Sequence, residues 1–331
     1  MMSTEFNLIK QYFTRPTAQT ALGIGDDAAL IQTSTDHQLA ISSDMSVVGT
    51  HFFQNTAPYD IGWKSLAVNV SDLAAMGANP KWATLAIALP EINPDWLNAF
   101  SAGFFDCADA FNIDLIGGDT TRGPLNISIT IMGEVPMGKA LTRRGAQLGD
   151  DIWVSGYLGH AALGLAHLQL KIKLPDEIRD TAIAALHQPQ PCVALGLALR
   201  DVANSCIDIS DGLLADLSHI LKASRANLTG NEAMGATLQL EKISCSATLQ
   251  NRLQEPIIQQ AILAGGDDYE LCFTASSNQR KTIAAIAKQL DINLTRIGEI
   301  NESGNLTVQF EQQNINITTL GYDHFAKTTR L

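Results

Sequence analysis

Six short acidic motifs hold the side chains of this chain that could do chemistry. They are Gly25-Asp26-Asp27, Ser42-Ser43-Asp44, Ser71-Asp72, Gly117-Gly118-Asp119, Asp208-Ile209-Ser210-Asp211-Gly212 and Gly265-Gly266-Asp267-Asp268. Each motif lies at the end of an apolar run or inside one. Unpaired buried charges are very costly, so these carboxylates need neutralisation. With 22 Lys and Arg for 34 Asp and Glu, the chain has few cations to spare, and bound divalent metal is the favoured neutralising group.

Two of these motifs allow a second interpretation. The glycines at 23 and 25 suit a metal or phosphate loop before Asp27, but a turn closed by Asp side chains explains them too. The alternation of 38–43 predicts a strand that ends in Ser42-Ser43-Asp44, and three oxygen-bearing side chains in a row suit a hard cation.

Two further motifs lie at the carboxyl ends of predicted strands 114–119 and 207–210. Asp119 is predicted at the carboxyl end of its strand, where glycines let backbone amides approach a ligand. Asp208 and Ser210 share one strand face, and Asp211 begins a helix predicted over 212–224, whose first amides could hold phosphate or metal. A helix N-cap built from Ser210 and Asp211 is the alternative, although it does not explain Asp208.

A helix predicted over 63–78 positions Asp72. Its apolar stripe is Leu66, Ala67, Val70, Leu73, Ala74 and Gly77. A second face carries Ser65, Asn69, Asp72 and Met76, which are small or uncharged apart from the one carboxylate. This face indicates that something docks there; a core helix with Asp72 paired to Lys or Arg is the alternative.

Composition narrows the function classes. The chain has 331 residues and a net charge of −12, which argues against a broad nucleic-acid surface. We expect no signal peptide and no membrane span, and the five scattered cysteines are typical of reduced residues in a cytoplasmic protein. The sequence lacks P-loop, dinucleotide-binding, zinc-protease, serine-hydrolase and protein-kinase motifs. Scattered carboxylates with a few arginines instead favour metal-assisted phosphoryl transfer.

Strands and helices mix in both halves of the chain, which predicts an α+β protein of two domains, 1–138 and 139–331. The segment 136–150 near the boundary contains Lys139, Arg143 and Arg144. This basic cluster is either a solvated loop or a source of one guanidinium for a phosphate.

Taken together and in this order, the motifs resemble bacterial thiamine-monophosphate kinase. The matching stretches cover nearly the whole chain: Gly-Ile-Gly-Asp-Asp-Ala-Ala at 23–29, Ser-Ser-Asp at 42–44 with His51, Asn-Val-Ser-Asp-Leu-Ala-Ala-Met-Gly-Ala at 69–78, Leu-Ile-Gly-Gly-Asp-Thr-Thr-Arg-Gly-Pro at 115–124, Leu-Thr-Arg at 141–143, Asp-Ile-Ser-Asp-Gly-Leu at 208–213, Gly-Gly-Asp-Asp-Tyr-Glu-Leu-Cys-Phe at 265–273 and Gly-Tyr-Asp-His-Phe at 321–325.

The resemblance implies an aminoimidazole-ribotide-synthetase-like fold, with N-terminal sheets pairing across a homodimer. By the same resemblance, domain 1–138 would carry the metal and nucleotide site and the dimer contacts, and domain 139–331 would complete the nucleotide and substrate site. It implies ATP-dependent phosphorylation of thiamine monophosphate to thiamine diphosphate, with several Mg²⁺ ions and no general base. Three groups of site residues follow from it: metal ligands Asp27, Ser42, Ser43, Asp44, Asp72, Asp119, Asp208 and Asp211; ATP contacts Gly118, Asp119, Arg143 and Ser210; and thiamine-substrate contacts His51, Asp267 and Tyr322.

Two positions depart from the family pattern. Asp267 stands where Glu is usual, so its substrate contact is expected to be water-bridged, and Ser43 stands where Thr is common, which keeps the hydroxyl. The competing functions are another ATP-using enzyme of the same superfamily and a non-catalytic protein that binds divalent metal.

Overall fold

The computed structural model describes residues 5–225, 233–316, 319–322 and 325. The chain forms two compact units, Met1–Leu73 with Ala78–Ala140 and Ala74–Gly77 with Leu141–Leu331. The domain boundary predicted after residue 138, and the roles given to the two domains, stay predictions. Among the described helices, none has the length and apolar character needed to cross a membrane.

From residue 5 onward, where the structure describes it, the first half of the chain supplies four helical segments and four strands. They are α1 (Glu5–Leu8), a π-helical turn (Ile9–Phe13), β1 (His37–Val47), α2 (Pro58–Ala75), β2 (Asn79–Leu89), α3 (Pro94–Ala110), β3 (Asp114–Arg122) and β4 (Asn126–Pro136). The strands form one sheet in the order β1-β4-β2-β3, so β1 and β3 are its edge strands. The pair β2–β3 is parallel and the other two pairs are antiparallel.

Helix α2 packs closely against α3 because two glycines remove side chains from the contact. A Cβ at Gly62 would lie 2.1 Å from the Phe100 carbonyl oxygen, and one at Gly103 would lie 1.9 Å from the Tyr59 carbonyl oxygen. The apolar stripe predicted on α2 is buried, with Leu66 and Val70 fully inaccessible. This packing fixes the position of the helix that carries Asp72.

Two carboxylates, the half-buried Asp114 and the buried Glu134, tie the segment before β1 to the sheet. Asp114 accepts hydrogen bonds from the backbone of Ala18 and Gln19 and from the Thr20 hydroxyl. Glu134 accepts from the Ser34 hydroxyl at 2.8 Å and pairs with Lys81 at 2.8 Å. The segment that contains Asp27 is therefore anchored near both of its ends.

The second half of the chain contributes seven strands and seven α-helices within the described residues. They are β5 (Asp151–Ser155), α4 (His160–Leu168), α5 (Asp176–His187), α6 (Val193–Ala198), β6 (Ser205–Asp208), α7 (Leu213–Arg225), β7 (Gly235–Gln239), α8 (Ala247–Gln250), α9 (Pro256–Ala264), β8 (Leu271–Ala275), α10 (Arg280–Leu290), β9 (Leu294–Asn301), β10 (Leu306–Phe310) and β11 (Gln313–Asn314). The sheet order is β11-β10-β7-β9-β5-β8-β6. Among the strand pairs that the structure describes in this sheet, β10–β7 alone is parallel. Mixed sheets packed with helices confirm the predicted α+β class.

Candidate active site

Strand β1 does not end at Ser42-Ser43-Asp44, as the sequence predicted, but continues to Val47. It continues because β4 pairs with it in register from His37 to Val47. Neighbouring side chains of a strand point to opposite faces. Ser42 and Asp44 thus face α2, whereas the Ser43 hydroxyl bonds to the Ile129 carbonyl and to Thr130, each at 3.1 Å. The three oxygen-bearing side chains do not form one cluster.

Ser42, Asp44 and Asp72 do come together. The Ser42 hydroxyl donates to the Asp72 carboxylate over 2.5 Å. The pKa of Asp44 is raised to about 6, first by burial and then by the charge of Asp72 and a hydrogen bond with it. Two carboxyl groups that disfavour each other's ionisation form a site where bound positive charge would be strongly stabilised.

Asn69 stabilises the arrangement of Ser42, Asp44 and Asp72 through hydrogen bonds of its side chain. It is fully buried, its side-chain oxygen accepts the Asp44 amide at 3.1 Å, and its side-chain nitrogen donates to the Ser65 carbonyl at 3.0 Å. The nearly uncharged face predicted on α2 is therefore covered in part by β1 of the same unit.

Asp27 and His51 lie elsewhere in the first unit. Asp27 is exposed, and its amide donates to the Asp26 side chain at 3.1 Å, which is the turn closed by an Asp side chain that the sequence allowed. The His51 ring nitrogen Nδ1 accepts the Val47 amide at 3.0 Å, so the ring is fixed at the end of β1.

Asp119 is not at the carboxyl end of β3, because the strand continues through the two glycines to Arg122. Asp119 is exposed and pairs in register with Ala86 of β2. A Cβ at Gly118 would lie 1.8 Å from the Leu85 carbonyl oxygen, so strand packing alone requires glycine there. The register runs Asp44–Ile129–Leu85–Gly118 across the sheet, so Asp44 and Asp119 lie on opposite edges. Three strand spacings separate those edges, about 14 Å.

The second unit gathers another acidic set at the start of α7. Buried Asp208 ends β6, and Asp211 and Ser210 lie between that strand and the helix, so Ser210 is outside the strand in which it was predicted. The Asp267 amide donates to the Ser210 carbonyl at 2.9 Å, and the Tyr322 amide donates to the Asp211 carbonyl at 2.9 Å. The loop at 267 and the segment at 322 therefore both lie against this segment; Asp323 and His324 of the same motif are outside the described residues.

Arg143 is exposed in the loop before β5, and its carbonyl accepts the Ser224 hydroxyl at 3.4 Å. The structure thus brings Ser42, Asp44 and Asp72 together, and separately Asp208, Ser210, Asp211, Asp267 and Tyr322. Within the described part of the chain, no group of three or more His, Cys, Asp and Glu side chains is arranged to hold a metal ion.

This chain is similar to known proteins over nearly its full length. Residues 25–135 match the family described as AIR synthase related protein, N-terminal domain. Thiamine-monophosphate kinase of Escherichia coli strain K12 is 43% identical over 331 residues, which cover 98% of this chain and 99% of the relative. The chain belongs to the thiamine-monophosphate kinase family. The enzyme of the same name from Haemophilus influenzae is 39% identical, with 99% of this chain covered and 100% of the relative.

Solved structures of thiamine-monophosphate kinases share the fold. The crystal structure of the kinase from Stenotrophomonas maltophilia K279a aligns with a TM-score of 0.81 at 47% identity, over 88% of this chain and 91% of that one. AaThiL complexed with AMPPCP and TMP aligns with a TM-score of 0.74 at 28% identity, over 91% and 92%. The aminoimidazole-ribotide-synthetase-like fold predicted for this kinase-family chain is confirmed.

Three carboxyl groups of this thiamine-monophosphate kinase family member received no individual role from the sequence, although Asp268 belongs to one of the acidic motifs. Asp216 accepts three backbone amides, and its pKa is raised to about 7 by burial and by the charges of Asp208 and Asp211. Asp268 accepts the Gly159 amide at 3.0 Å, and burial raises its pKa well above the ordinary value. Glu270 accepts from Ser155 and Cys192, and burial raises its pKa. Asp216, four residues after Gly212, is the one whose spacing could have signalled a helix-capping role.

Proposed function

We propose that this chain transfers the γ-phosphoryl group of ATP to thiamine monophosphate, giving thiamine diphosphate, the last step of thiamine diphosphate biosynthesis. The observation that carries the proposal is the contact between Asp44 and Asp72, a pair of carboxyl groups suited to a cation, in a chain 43% identical to a thiamine-monophosphate kinase over nearly its full length. The substrates follow from the names of the relatives and from the complex of AaThiL with AMPPCP and TMP.

The residues present fit Mg²⁺, because each acidic set offers carboxylate and hydroxyl oxygens, which are the ligands this ion takes. We propose as ligands the residues implied by the motifs: Asp27, Ser42, Ser43, Asp44, Asp72, Asp119, Asp208 and Asp211. When bound, Mg²⁺ would neutralise the charge of the two phosphate-bearing substrates. The carboxylates of the chain would bind the Mg²⁺ ions, and they are already oriented for this before the substrates bind.

The chemistry needs no general base. The second pKa of a phosphate monoester is near 6, so the attacking oxygen of thiamine monophosphate is already largely deprotonated at neutral pH. The remaining task is to align two anions, which the chain meets by positioning. We propose direct in-line transfer, with Gly118, Asp119, Arg143 and Ser210 contacting ATP. Exposed Arg143 offers a guanidinium suited to phosphate oxygens.

His51, Asp267 and Tyr322 are proposed to contact the thiamine substrate. Asp267 has a positive φ of 69° and accepts the Tyr269 hydroxyl at 3.2 Å, so its shorter side chain is already oriented within its loop. Tyr322 is held to the same region through its amide bond to Asp211. These contacts support a substrate role for the pair.

We also propose a homodimer. Alternate residues of edge strand β1 present apolar side chains to solvent: Leu39, Ile41 and Met45 are 37%, 60% and 54% exposed. An edge strand with an exposed apolar face is suited to pair with another sheet. We further propose a cytoplasmic location, which the five free cysteines support, since disulfides form mainly in oxidising compartments.

The decisive experiment incubates the purified protein with ATP, Mg²⁺ and thiamine monophosphate and measures thiamine diphosphate by chromatography. The proposal expects one product for each ATP consumed and no product when Mg²⁺ is removed by chelation. A protein that is stabilised against heat by Mg²⁺ alone, with no added effect of AMPPCP and no product, would instead be a metal-binding protein. Labelled phosphoryl on the protein after incubation with ATP alone would contradict direct transfer.

A further inference from the structure

The start of α7 is held by one carboxylate. The amides of Ser210, Asp211 and Gly212 each donate to the same oxygen of Asp216, Oδ2, over 3.1 Å. Asp216 lies in the first turn of α7 and is 3% exposed. The three amides belong to the residues just before α7, and a residue of the helix supplies their acceptor. The sequence suggested the first amides of the helix predicted over 212–224 as a place for phosphate or metal; of these amides, that of Gly212 donates to Asp216.

The opposite side of the same segment is fixed by other bonds. The Ser210 and Asp211 carbonyls accept the amides of Asp267 and Tyr322, and the Ile209 amide donates to the Glu270 carbonyl at 2.8 Å. The carbonyl side of the segment is therefore fixed by the loop at 267 and the segment at 322, and Asp216 fixes the amide side. Removal of the Asp216 carboxylate would leave three donors without their common acceptor, which favours a rearranged backbone.

We propose that Asp216 is a positioning residue that sets the placement of Asp208, Ser210 and Asp211 for nucleotide with divalent cation. The inference rests on the proposed function, because it assumes that this segment binds Mg²⁺ and ATP. It also says how binding occurs: the side chains of the segment, and not its amides, make the contacts. This arrangement has an electrostatic cost, because the Asp216 carboxyl group is buried close to the carboxyl groups of Asp208 and Asp211.

Two substitutions of Asp216 distinguish the loss of the hydrogen-bond acceptor from the loss of the negative charge. Asp216→Asn keeps an oxygen of the same size and position for the three amides but removes the negative charge. Asp216→Ala removes both. Asp150→Ala is the matched control, because Asp150 is equally buried at 3%, lies in the same unit, and accepts the Gln147 amide and the Asn204 side chain at 2.9 Å. It is outside both acidic sets.

The experiment measures four quantities on the full chain: thermal unfolding, deuterium exchange of the amides at 210–212, the Mg²⁺ concentration for half-maximal AMPPCP binding, and kcat with KM. For Asp216→Ala we expect faster exchange and a 10- to 100-fold higher Mg²⁺ requirement, as for other residues that orient metal ligands. Asp216→Asn should stay within about threefold of the natural protein. Asp150→Ala should lower the Tm without a change in Mg²⁺ requirement.

The proposal fails if Asp216→Ala exchanges its 210–212 amides and binds Mg²⁺ with AMPPCP as the natural protein does, whatever its Tm. If Asp216→Ala does not fold, Asp216→Asn and Asp216→Ser decide, because a Ser hydroxyl is too short to accept all three amides; an equal Mg²⁺ requirement in both would overturn the inference. Absence of thiamine diphosphate formation by the natural protein would refute the proposed function instead, and the exchange and binding measurements would still test Asp216.

Discussion

The half-buried carboxyl groups of Asp44 and Asp72 touch, although two carboxylates in contact repel each other. The surrounding residues hold them there: Ser42 donates to Asp72, and Asn69 accepts the backbone amide of Asp44. The arrangement opposes ionisation of the two carboxyl groups, and yet hydrogen bonds maintain it. This combination is typical of a functional site. At the scale of single residues, this pair is the strongest sign of cation binding in the first unit.

Asp72→Asn should therefore fold normally and lose turnover. The amide has the size of the carboxyl group and can still accept the Ser42 hydroxyl, so we expect the Tm to change by no more than a few degrees. Loss of the negative charge removes a proposed metal ligand, and kcat should fall on the order of 100-fold or more. Thiamine diphosphate formation at saturating substrates measures this.

Asp106→Asn is the control for that variant. Asp106 accepts a hydroxyl from Tyr59 at 2.7 Å, a bond that raises the pKa of Tyr59 to about 12, but it is exposed and outside the acidic sets. Its turnover should equal that of the natural protein. Full activity in Asp72→Asn would remove Asp72 from the proposed site.

For the secondary-structure elements, pairing with a neighbouring strand determined where β1 and β3 end, which the sequence pattern did not predict. Ser42-Ser43-Asp44 and Gly117-Gly118-Asp119 have the composition of strand ends, yet β4 continues the pairing of β1 and β2 continues that of β3. Local propensity cannot show a partner strand that is distant in sequence. The helices were better predicted, because the stripe on α2 and the start of α7 follow from nearby residues.

Gly103→Ala tests the close contact between α2 and α3. A Cβ at this position would lie 1.9 Å from the Tyr59 carbonyl oxygen, so the helices must separate. We expect a loss of about 1–3 kcal/mol in the free energy of unfolding, measured with urea, although Ala is the better helix former. In Gly123→Ala the added Cβ would make an ordinary 3.5 Å contact with Ala88, and no loss is expected. Equal stability of the two variants would contradict the close-packing explanation.

Asp151 joins β5 to α10 and β9 and should make stability depend on pH. It is 1% exposed and accepts Arg280 at 2.6 and 2.8 Å and also Arg296. Burial raises the pKa of Asp151, but the hydrogen bonds and charges of both arginines outweigh it, so the pKa lies below the ordinary 3.8. The stabilisation is then fully present above about pH 5 and is lost as the pH falls through the folded-state pKa.

Asp151→Asn should lower the free energy of unfolding by about 2 kcal/mol at pH 7, less than for a fully buried pair because both arginines are partly solvated. The difference from the natural protein should shrink as the pH falls to 3. Asp176→Asn, which breaks an exposed pair with Arg179, should change the free energy of unfolding much less than Asp151→Asn does. A constant difference across the pH range for Asp151→Asn would show that the charge is not responsible.

At the scale of the whole molecule, the order and spacing of motifs predicted the fold class and the family, and structure was needed for the roles of buried acids. Glu270 looks like an ordinary residue in the sequence, because its partners are a hydroxyl and a thiol contributed by distant segments, Ser155 and Cys192. Such contacts leave no periodic pattern. The motif positions predicted that Ser42, Asp44 and Asp72 belong to one site. They did not predict that Asp44 and Asp119 lie on opposite edges of the sheet.

That separation bears on the proposed homodimer. Asp44 and Asp119 lie on opposite edge strands of the four-stranded sheet, about 14 Å apart by strand spacing. Side chains at that distance do not share one metal ion within a copy. If two sheets join edge to edge, with β1 of one copy beside β3 of the other, Asp44 and Asp119 of different copies become neighbours.

Heterodimers of two inactive variants test this pairing. Asp44→Asn and Asp119→Asn chains, co-expressed with different tags and purified through both, would leave one intact site of two, so activity should return to about half that of the natural protein. Asp44→Asn with Asp72→Asn is the matched control, because those residues meet within one copy and both sites stay broken. Failure of the first heterodimer to regain activity, with both parent variants folded and dimeric, would place Asp44 and Asp119 in the same copy's site or remove one of them from it.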